Sequence, residues 1–563
     1  MTAWHSALAL ACAALPFGAQ AQGTPPHDAG AYLAARAADG VSDFEGAAAF
    51  FARALDRDPG NAVLFERTLV ALLADGLLDR ALGVIDTFGD GASDSQIARI
   101  ALLAGDARDG DWDGLIARLD AGDGVADIVD ELSRAWALIG QGDTDAGIDV
   151  LNTLGQERGY RGFALYHKAM ALASTGDWTA AEEILSAPPE AGLPRTRRSI
   201  VAHLRILSQL GRNDDAVAML DDTFGPDPDP AIRDLRARLA DDETVPFTTV
   251  NDPAEGIAEV FYSVGGTLME QSVDDYVLIY ARTAQLLHPD DAEMTLMVGG
   301  LLEALDRYDL AAETFATVAP DDPAFHAAEL GRADALRRSG QPELAVEVLQ
   351  NMLRRFPDLA MVHIELGDQL RRLDRLEEAN VAYTDALSAL PQDDPRRWLA
   401  LYQRAITFHG LDDWPRAEAD FRAALALQPD QPAVLNYLGY SMVERRENLD
   451  EALGMIERAV AAQPDSGAIV DSLGWALYTL GRAEEAVAPM ERAAALLPED
   501  AVVNDHLGDV YWTVGRRLEA RFQWRRALSF DPEPDLAEEI RAKIETGLPA
   551  PDADAREDVA TDL

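Results

Sequence analysis

Cysteine is nearly absent from the chain: its 563 residues include one, Cys12. A single thiol can build neither a disulfide framework nor a thiolate zinc cluster. Lysine is nearly as scarce, standing only at Lys168 and Lys543, so basic charge is carried almost wholly by arginine. Aromatics make up 7%, and no stretch alternates apolar and polar residues long enough to suggest a sheet. Positive charge is in deficit, with 48 Lys and Arg against 98 Asp and Glu, a net charge of −50. Such a field repels a phosphate backbone or an anionic lipid surface, which argues against nucleic acid as a partner. Beyond the N-terminus no run approaches the ~18 to 20 apolar residues that span a bilayer. The phosphate-cradling GxxxxGK[ST] loop, the dinucleotide glycine loop and the nucleophile elbow are all missing, so neither catalysis nor a cofactor is expected.

What is present begins with an apolar run, Ala7 to Phe17, closed by Ala19-Gln20-Ala21. Small residues at −3 and −1 read as a secretory signal over residues 1–21, although the leading MTAWHS lacks the usual Lys or Arg. Cys12 also raises a lipoprotein reading, but Ala9 and Leu10 stand where a lipobox wants leucine and a small residue. The expectation is a bacterial periplasmic protein. It would be anchored to the outer membrane only if Cys12 is acylated.

A period then dominates. A small residue, a second about 12 later and a Pro a further 12 on recur as Gly367/Ala379/Pro391, Ala405/Ala417/Pro429, Gly439/Ala452/Pro464, Gly474/Ala486/Pro498 and Gly508/Ala520/Pro532. Earlier units keep the phase at Ala35/Ala47, Leu69/Ala81, Leu102/Gly114, Ala135/Gly147, Ala169/Ala181, Leu204/Ala216, Gly265/Val277, Gly299/Ala311 and Ala333/Ala345. Each unit reads as two antiparallel helices whose small residues allow close approach, with Pro closing the second helix. One such pair cannot bury its apolar face, so neighbours must stack.

At these positions the chain resembles the tetratricopeptide repeat (TPR) family, whose signature places a large residue, Leu-Gly, an aromatic, then Ala, Phe, Ala and Pro at fixed offsets. The resemblance implies an all-α, right-handed superhelical solenoid of about fourteen helix-turn-helix units in two blocks. The period breaks between the Leu204 and Gly265 units, in a stretch rich in Pro and Asp. The expected organisation is therefore a signal at 1–21, an N-terminal block at 28–225, a connector able to hinge at 226–254, a C-terminal block at 255–546 and a disordered acidic tail at 547–563.

No His pair has the spacing of a helical zinc site. Asp109, Asp111, Asp113 and Asp120 mimic a calcium loop, but the same segment also fits an interhelical turn followed by a helix, and no metal is expected. The most informative positions lie three before, one after and four after the last three anchors: Asn436, Tyr440 and Val443; Asp471, Trp475 and Tyr478; Asp505, Asp509 and Trp512. In TPR proteins this face lines the concave side where partner segments bind. Aromatics beside unpaired carboxylates make Asn436, Tyr440, Asp471, Trp475, Tyr478, Asp505, Asp509 and Trp512 the candidate partner-binding set. The competing reading is that the rings merely pack between units. The family's two-carboxylate clamp needs basic groups where Asp stands, so basic or neutral-polar segments are the expected ligands.

The runs NYLGYSMVERRENLDEALGMIERAV, IVDSLGWALYTLGRAEEAV and VVNDHLGDVYWTVGRRLEARFQWRRAL, with PAEGIAEVFYSVGGTLM earlier, are similar to a subgroup of bacterial envelope TPR proteins. That subgroup includes the outer-membrane lipoprotein adaptor of a carboxy-terminal processing protease, which presents cell-wall hydrolases. The resemblance implies a non-catalytic scaffold or adaptor with a protease and its hydrolase substrates as partners. The alternative is a structural component of an envelope assembly or polysaccharide-export machine.

Overall fold

The computed structural model describes residues 28–188 and 192–548, so Cys12, the expected signal and most of the expected tail lie outside the described residues. The described residues form thirty α-helices and one short 3-10 helix, and contain no strand. In order these are α1 (Ala29–Asp39), α2 (Phe44–Arg57), α3 (Ala62–Ala74), α4 (Leu78–Phe88), α5 (Gln96–Asp109), α6 (Trp112–Asp120), α7 (Asp127–Gly140), α8 (Thr144–Leu154), α9 (Arg161–Ser174) and α10 (Trp178–Leu185). There follow α11 (Arg197–Gln209), α12 (Asn213–Phe224), α13 (Pro230–Ala240), α14 (Pro253–Met269), α15 (Asp275–Leu287), α16 (Ala292–Ala304), α17 (Tyr308–Phe315), α18 (Phe325–Arg338), α19 (Pro342–Arg355) and α20 (Ala360–Arg372). The last are α21 (Leu376–Ala389), α22 (Arg397–Gly410), α23 (Trp414–Leu427), α24 (Pro432–Arg445), α25 (Leu449–Ala462), α26 (Gly467–Thr479), α27 (Ala483–Leu496), α28 (Ala501–Thr513), α29 (Arg517–Leu528) and α30 (Pro534–Thr546). They run as fourteen consecutive pairs, with α13 and α30 left single. This is the unit number read from the period.

Local chemistry explains the pairs. Within several pairs the chain turns on a residue of positive φ followed by a capping aspartate. Gly142 (φ 88°) precedes Asp143, whose carboxylate accepts from the Ala146 amide. Gly176 (φ 87°) precedes Asp177 in the same way. In a later unit Asp412 takes the glycine's place at φ 58°, and Asp413 caps α23. The small anchors face the partner helix: a Cβ on Gly508 would run into the Trp524 indole, and one on Gly474 into Met490. Ala486 and Ala520 opposite them are fully buried.

The chain divides into two compact units between Ala345 and Val346, within α19, and not at the 226–254 connector. The reason lies in what the connector and the helices after it do. After α13 the strand-like stretch buries Val245, Phe247 and Val250. It is strapped to α11 by Gln209 Nε2 donating to the Val245 carbonyl at 2.6 Å and by the Val245 amide donating to Ser208 Oγ at 2.9 Å. Asn213 at the start of α12 donates to the Glu243 carbonyl at 3.1 Å. These bonds tie the segment to α11 and α12. The pair α14 and α15 then folds back onto the row of first helices, α14 against α5, α7 and α9, and α15 against α3 and α5. Gly256 permits this, since a Cβ there would enter the Trp136 ring. One apolar core accordingly runs from Ala31 to Met294.

In the second unit α20 to α29 stack pair upon pair, and α30 packs on α29. Gly547, which opened the expected tail, closes this packing. Its φ is 76° and any Cβ there would strike the Trp512 indole.

Candidate functional site

The candidate positions lie on α24, α26 and α28, the first helices of the last three pairs, and the structure divides them. Asn436, Tyr440 and Asp471 come together in a groove of about 360 Å³, with Tyr437, Glu444 and Asp500 also in its walls. No Lys or Arg lines it. Burial, then the Glu444 and Asp471 carboxylates, push the Tyr440 phenol well above its ordinary value. Asn436 Oδ1 has no hydrogen-bond partner. The Tyr437 ring packs 5.1 Å from Phe421, and its hydroxyl lies 3.2 Å from His409 Nδ1. Asp500 caps α28 by accepting from the Val503 amide at 3.0 Å.

The remaining positions are engaged by the next helix. Trp475 stacks on His506 at 3.9 Å between centroids and on Tyr478 at 5.0 Å. These rings pack between units. Asp471 lies 3.1 Å from His506 Nδ1. Burial alone would lower that imidazole's pKa, but the Asp471 hydrogen bond and the Asp471, Asp505 and Asp509 charges together hold it above its usual value. Asp505 and Asp509, expected to be unpaired, are buried and clasp Lys543 Nζ at 2.6 and 2.8 Å. Asp509 also accepts from Trp524 Nε1 at 2.9 Å, and burial, then the Asp505 charge, pushes its carboxyl up to about 6. Trp512 is covered by Gly547 and flanked by the guanidinium groups of Arg517 and Arg521 at 5.0 and 5.2 Å. Val443 is buried.

The helix-face register thus found Asn436, Tyr440 and Asp471 but missed Tyr437 and Glu444. Their signal was available: 437, 440, 441 and 444 follow one helical stripe.

The calcium-like segment does not wrap as a loop. Helix α6 begins at Trp112, Asp111 caps it, Asp109 pairs with Arg108, and Asp120 accepts from Arg134 at 2.7 Å. Among the described residues no group of three or more His, Cys, Asp or Glu could hold a metal ion.

A second cavity, of about 800 Å³, opens in the first unit between α9, α11, α14 and α16. Phe163, Met269, Leu296 and Met297 make its walls mostly apolar. At its base Arg198 meets Glu259 at 2.7 Å, Asp291 at 2.7 Å and Glu293 at 3.2 Å, while the Tyr166 hydroxyl donates to Glu259 at 2.7 Å. No local pattern announces this cavity, because its lining comes from four separate repeats.

Stacked helix pairs with small anchors define an α-helical repeat protein. A family model described as tetratricopeptide repeat matches residues 330–395, 402–465 and 443–501. A curated relative, the TPR repeat-containing protein PA4667 of Pseudomonas aeruginosa, is 27% identical over 33% of this chain and 31% of its own length. Tetratricopeptide repeat protein 13 of Homo sapiens is 26% identical over 28% of this chain and 18% of its own. The chain thus spans less than a third of either relative. Among solved structures, the Cut9–Hcn1 hetero-tetramer of APC/C aligns at 15% identity over 92% of this chain and 96% of that one, with a TM-score of 0.38. The Thermus thermophilus TPR protein TTC0263 aligns at 25% identity over 33% and 99%, with a TM-score of 0.29.

Proposed function

We propose that the chain is a non-catalytic protein-binding scaffold or adaptor of the bacterial envelope, which presents one protein partner to another. TPR arrays generally mediate protein–protein interactions, and here the observation that carries the reading is the groove between α24, α26 and α28. Its aromatic and carboxylate walls offer contact area and hydrogen bonds, and no catalytic arrangement accompanies them. In the N-terminal unit the row of first helices α3, α5, α7 and α9 is contacted by α14 and α15, whereas the C-terminal groove is open to a partner segment. The N-terminal apolar run supports export to the periplasm. The resemblance of residues 435 to 530 to the protease-adaptor subgroup supports a carboxy-terminal processing protease and cell-wall hydrolases as the partners.

Crosslinking in intact cells, followed by capture of the tagged chain from the envelope fraction, tests this. Recovery of a protease together with a cell-wall enzyme is the expected result, and capture of export-machine components instead would favour the structural alternative. A chain found only in the cytosol would sink the envelope reading.

A further inference from the structure

The molecule repeats one small device several times, and one copy of it is incomplete. In the last pairs, Tyr511 donates to Glu491 Oε1 at 2.8 Å, Arg516 meets the same oxygen at 2.8 Å, and the guanidinium carbon lies 3.9 Å from the tyrosine ring centroid. Tyr383 donates to Asp368 at 2.6 Å, with the Arg371 charge nearby. In the first unit Tyr308 donates to Asp306, and Arg338 sits 4.3 Å over the ring and 4.0 Å from that carboxylate. Arg198 also meets Glu259, the acceptor of the Tyr166 hydroxyl, with its guanidinium over the neighbouring Tyr262 ring. Arginine suits this role because its planar guanidinium can lie on a π face while its fork of donors reaches a carboxylate.

Tyr440 and Glu444 likewise set a tyrosine beside a carboxylate, one helical turn apart on α24, both in the lining of the groove. Here no Arg or Lys among the described residues completes the pair. Glu444 is exposed and the phenol is half-buried, so a planar cation can approach the ring and the carboxylate together. Asp471 adds a second carboxylate to the same lining, and Asn436 an amide whose oxygen has no donor. Further along the same row of helices, Asp505 and Asp509 already show what this face does with a cation, holding Lys543 between them.

We infer that the groove takes an arginine-bearing segment of a partner polypeptide, whose guanidinium lies against Tyr440 and forks onto Glu444. The inference rests on the reading of this groove as a partner site and supplies the chemistry of the partner.

The test uses the full chain and a short labelled peptide of alanine with arginine at every third position. The comparison peptide carries citrulline, which keeps the shape and loses the charge. Fluorescence anisotropy should show the arginine peptide binding about tenfold or more tighter, in line with a charge-assisted pair. Glu444→Gln should shrink that preference to about twofold, and Tyr440→Phe should reduce it while leaving the melting temperature unchanged. Glu484→Gln, a control at an exposed site outside the groove, should leave it intact. A preference undiminished in both groove variants would mean that the peptide reads only the diffuse charge of −50, and the inference would fall. No preference in the wild type would overturn it equally. Either outcome leaves the envelope capture free to succeed, so the two proposals fail separately.

Discussion

Arg198 is the residue whose removal should be felt most. It is buried with Glu259 and Asp291 against its guanidinium, and taking away one partner of such a cluster leaves uncompensated charge in a dry site. Arg198→Met is expected to cost about 3–5 kcal/mol in urea unfolding of the first unit. Arg198→Met with Glu259→Gln should recover part of that loss. Gly508→Ala is a test in the second unit: the added methyl must displace the Trp524 indole, so a loss of about 1–3 kcal/mol is expected from thermal or denaturant melts. These residues also show where sequence reading stops. Spacing along one helix placed Asn436, Tyr440 and Asp471 on a shared face. It could not reveal that Lys543 and His506, carried by the following first helices, neutralise the neighbouring carboxylates, because such pairs depend on how one helix stacks on the next.

Helices of the two units should respond to pH in opposite senses. His167 on α9 is fully buried, accepts from Trp136 Nε1 at 3.1 Å and lies 3.2 Å from Ser263 Oγ, and burial lowers its pKa to about 3. The unfolded imidazole takes a proton below about 6.5, so between there and about 3 the unfolded state binds more protons than the folded one. The α7–α9–α14 packing should therefore weaken as pH falls through that window, by at most about 1.4 kcal/mol per pH unit. On α28 the signs reverse. His506 is held above its ordinary value, so its contribution is complete below about 6.5 and is lost as pH rises through the raised folded value. Asp509, with a folded pKa of about 6, adds to the same trend, since ionising it costs more folded than unfolded. Hydrogen exchange followed by mass spectrometry should show α7 and α9 opening at pH 5 and α26 and α28 opening at pH 8. His506→Gln should flatten the alkaline part. The helix pairs themselves were legible, because small anchors, capping aspartates and prolines repeat locally. The docking of α14 was not, since nothing in a local period records a bond such as that between Arg282 Nε and the Ala74 carbonyl, 208 residues apart.

Taken whole, the chain carries 98 acidic residues against 48 basic ones, and much of the basic complement is spent in ion pairs along the helices. The uncompensated charge repels itself through solvent. Raising salt from about 10 to about 200 mM should therefore increase the melting temperature by several degrees. The return of α14 onto α5, α7 and α9 has a consequence in time as well as in space. Synthesis runs from the N-terminus, so Trp136 and Tyr166 are made well before Gly256 can pack on the first and Glu259, 93 residues beyond Tyr166, can bond to the second. During that interval the early repeats present an uncovered apolar face, and closing the long loop sets the pace of their completion. A chain halted near residue 225 should be markedly stickier than the finished protein, because it stops before the helix that seals it.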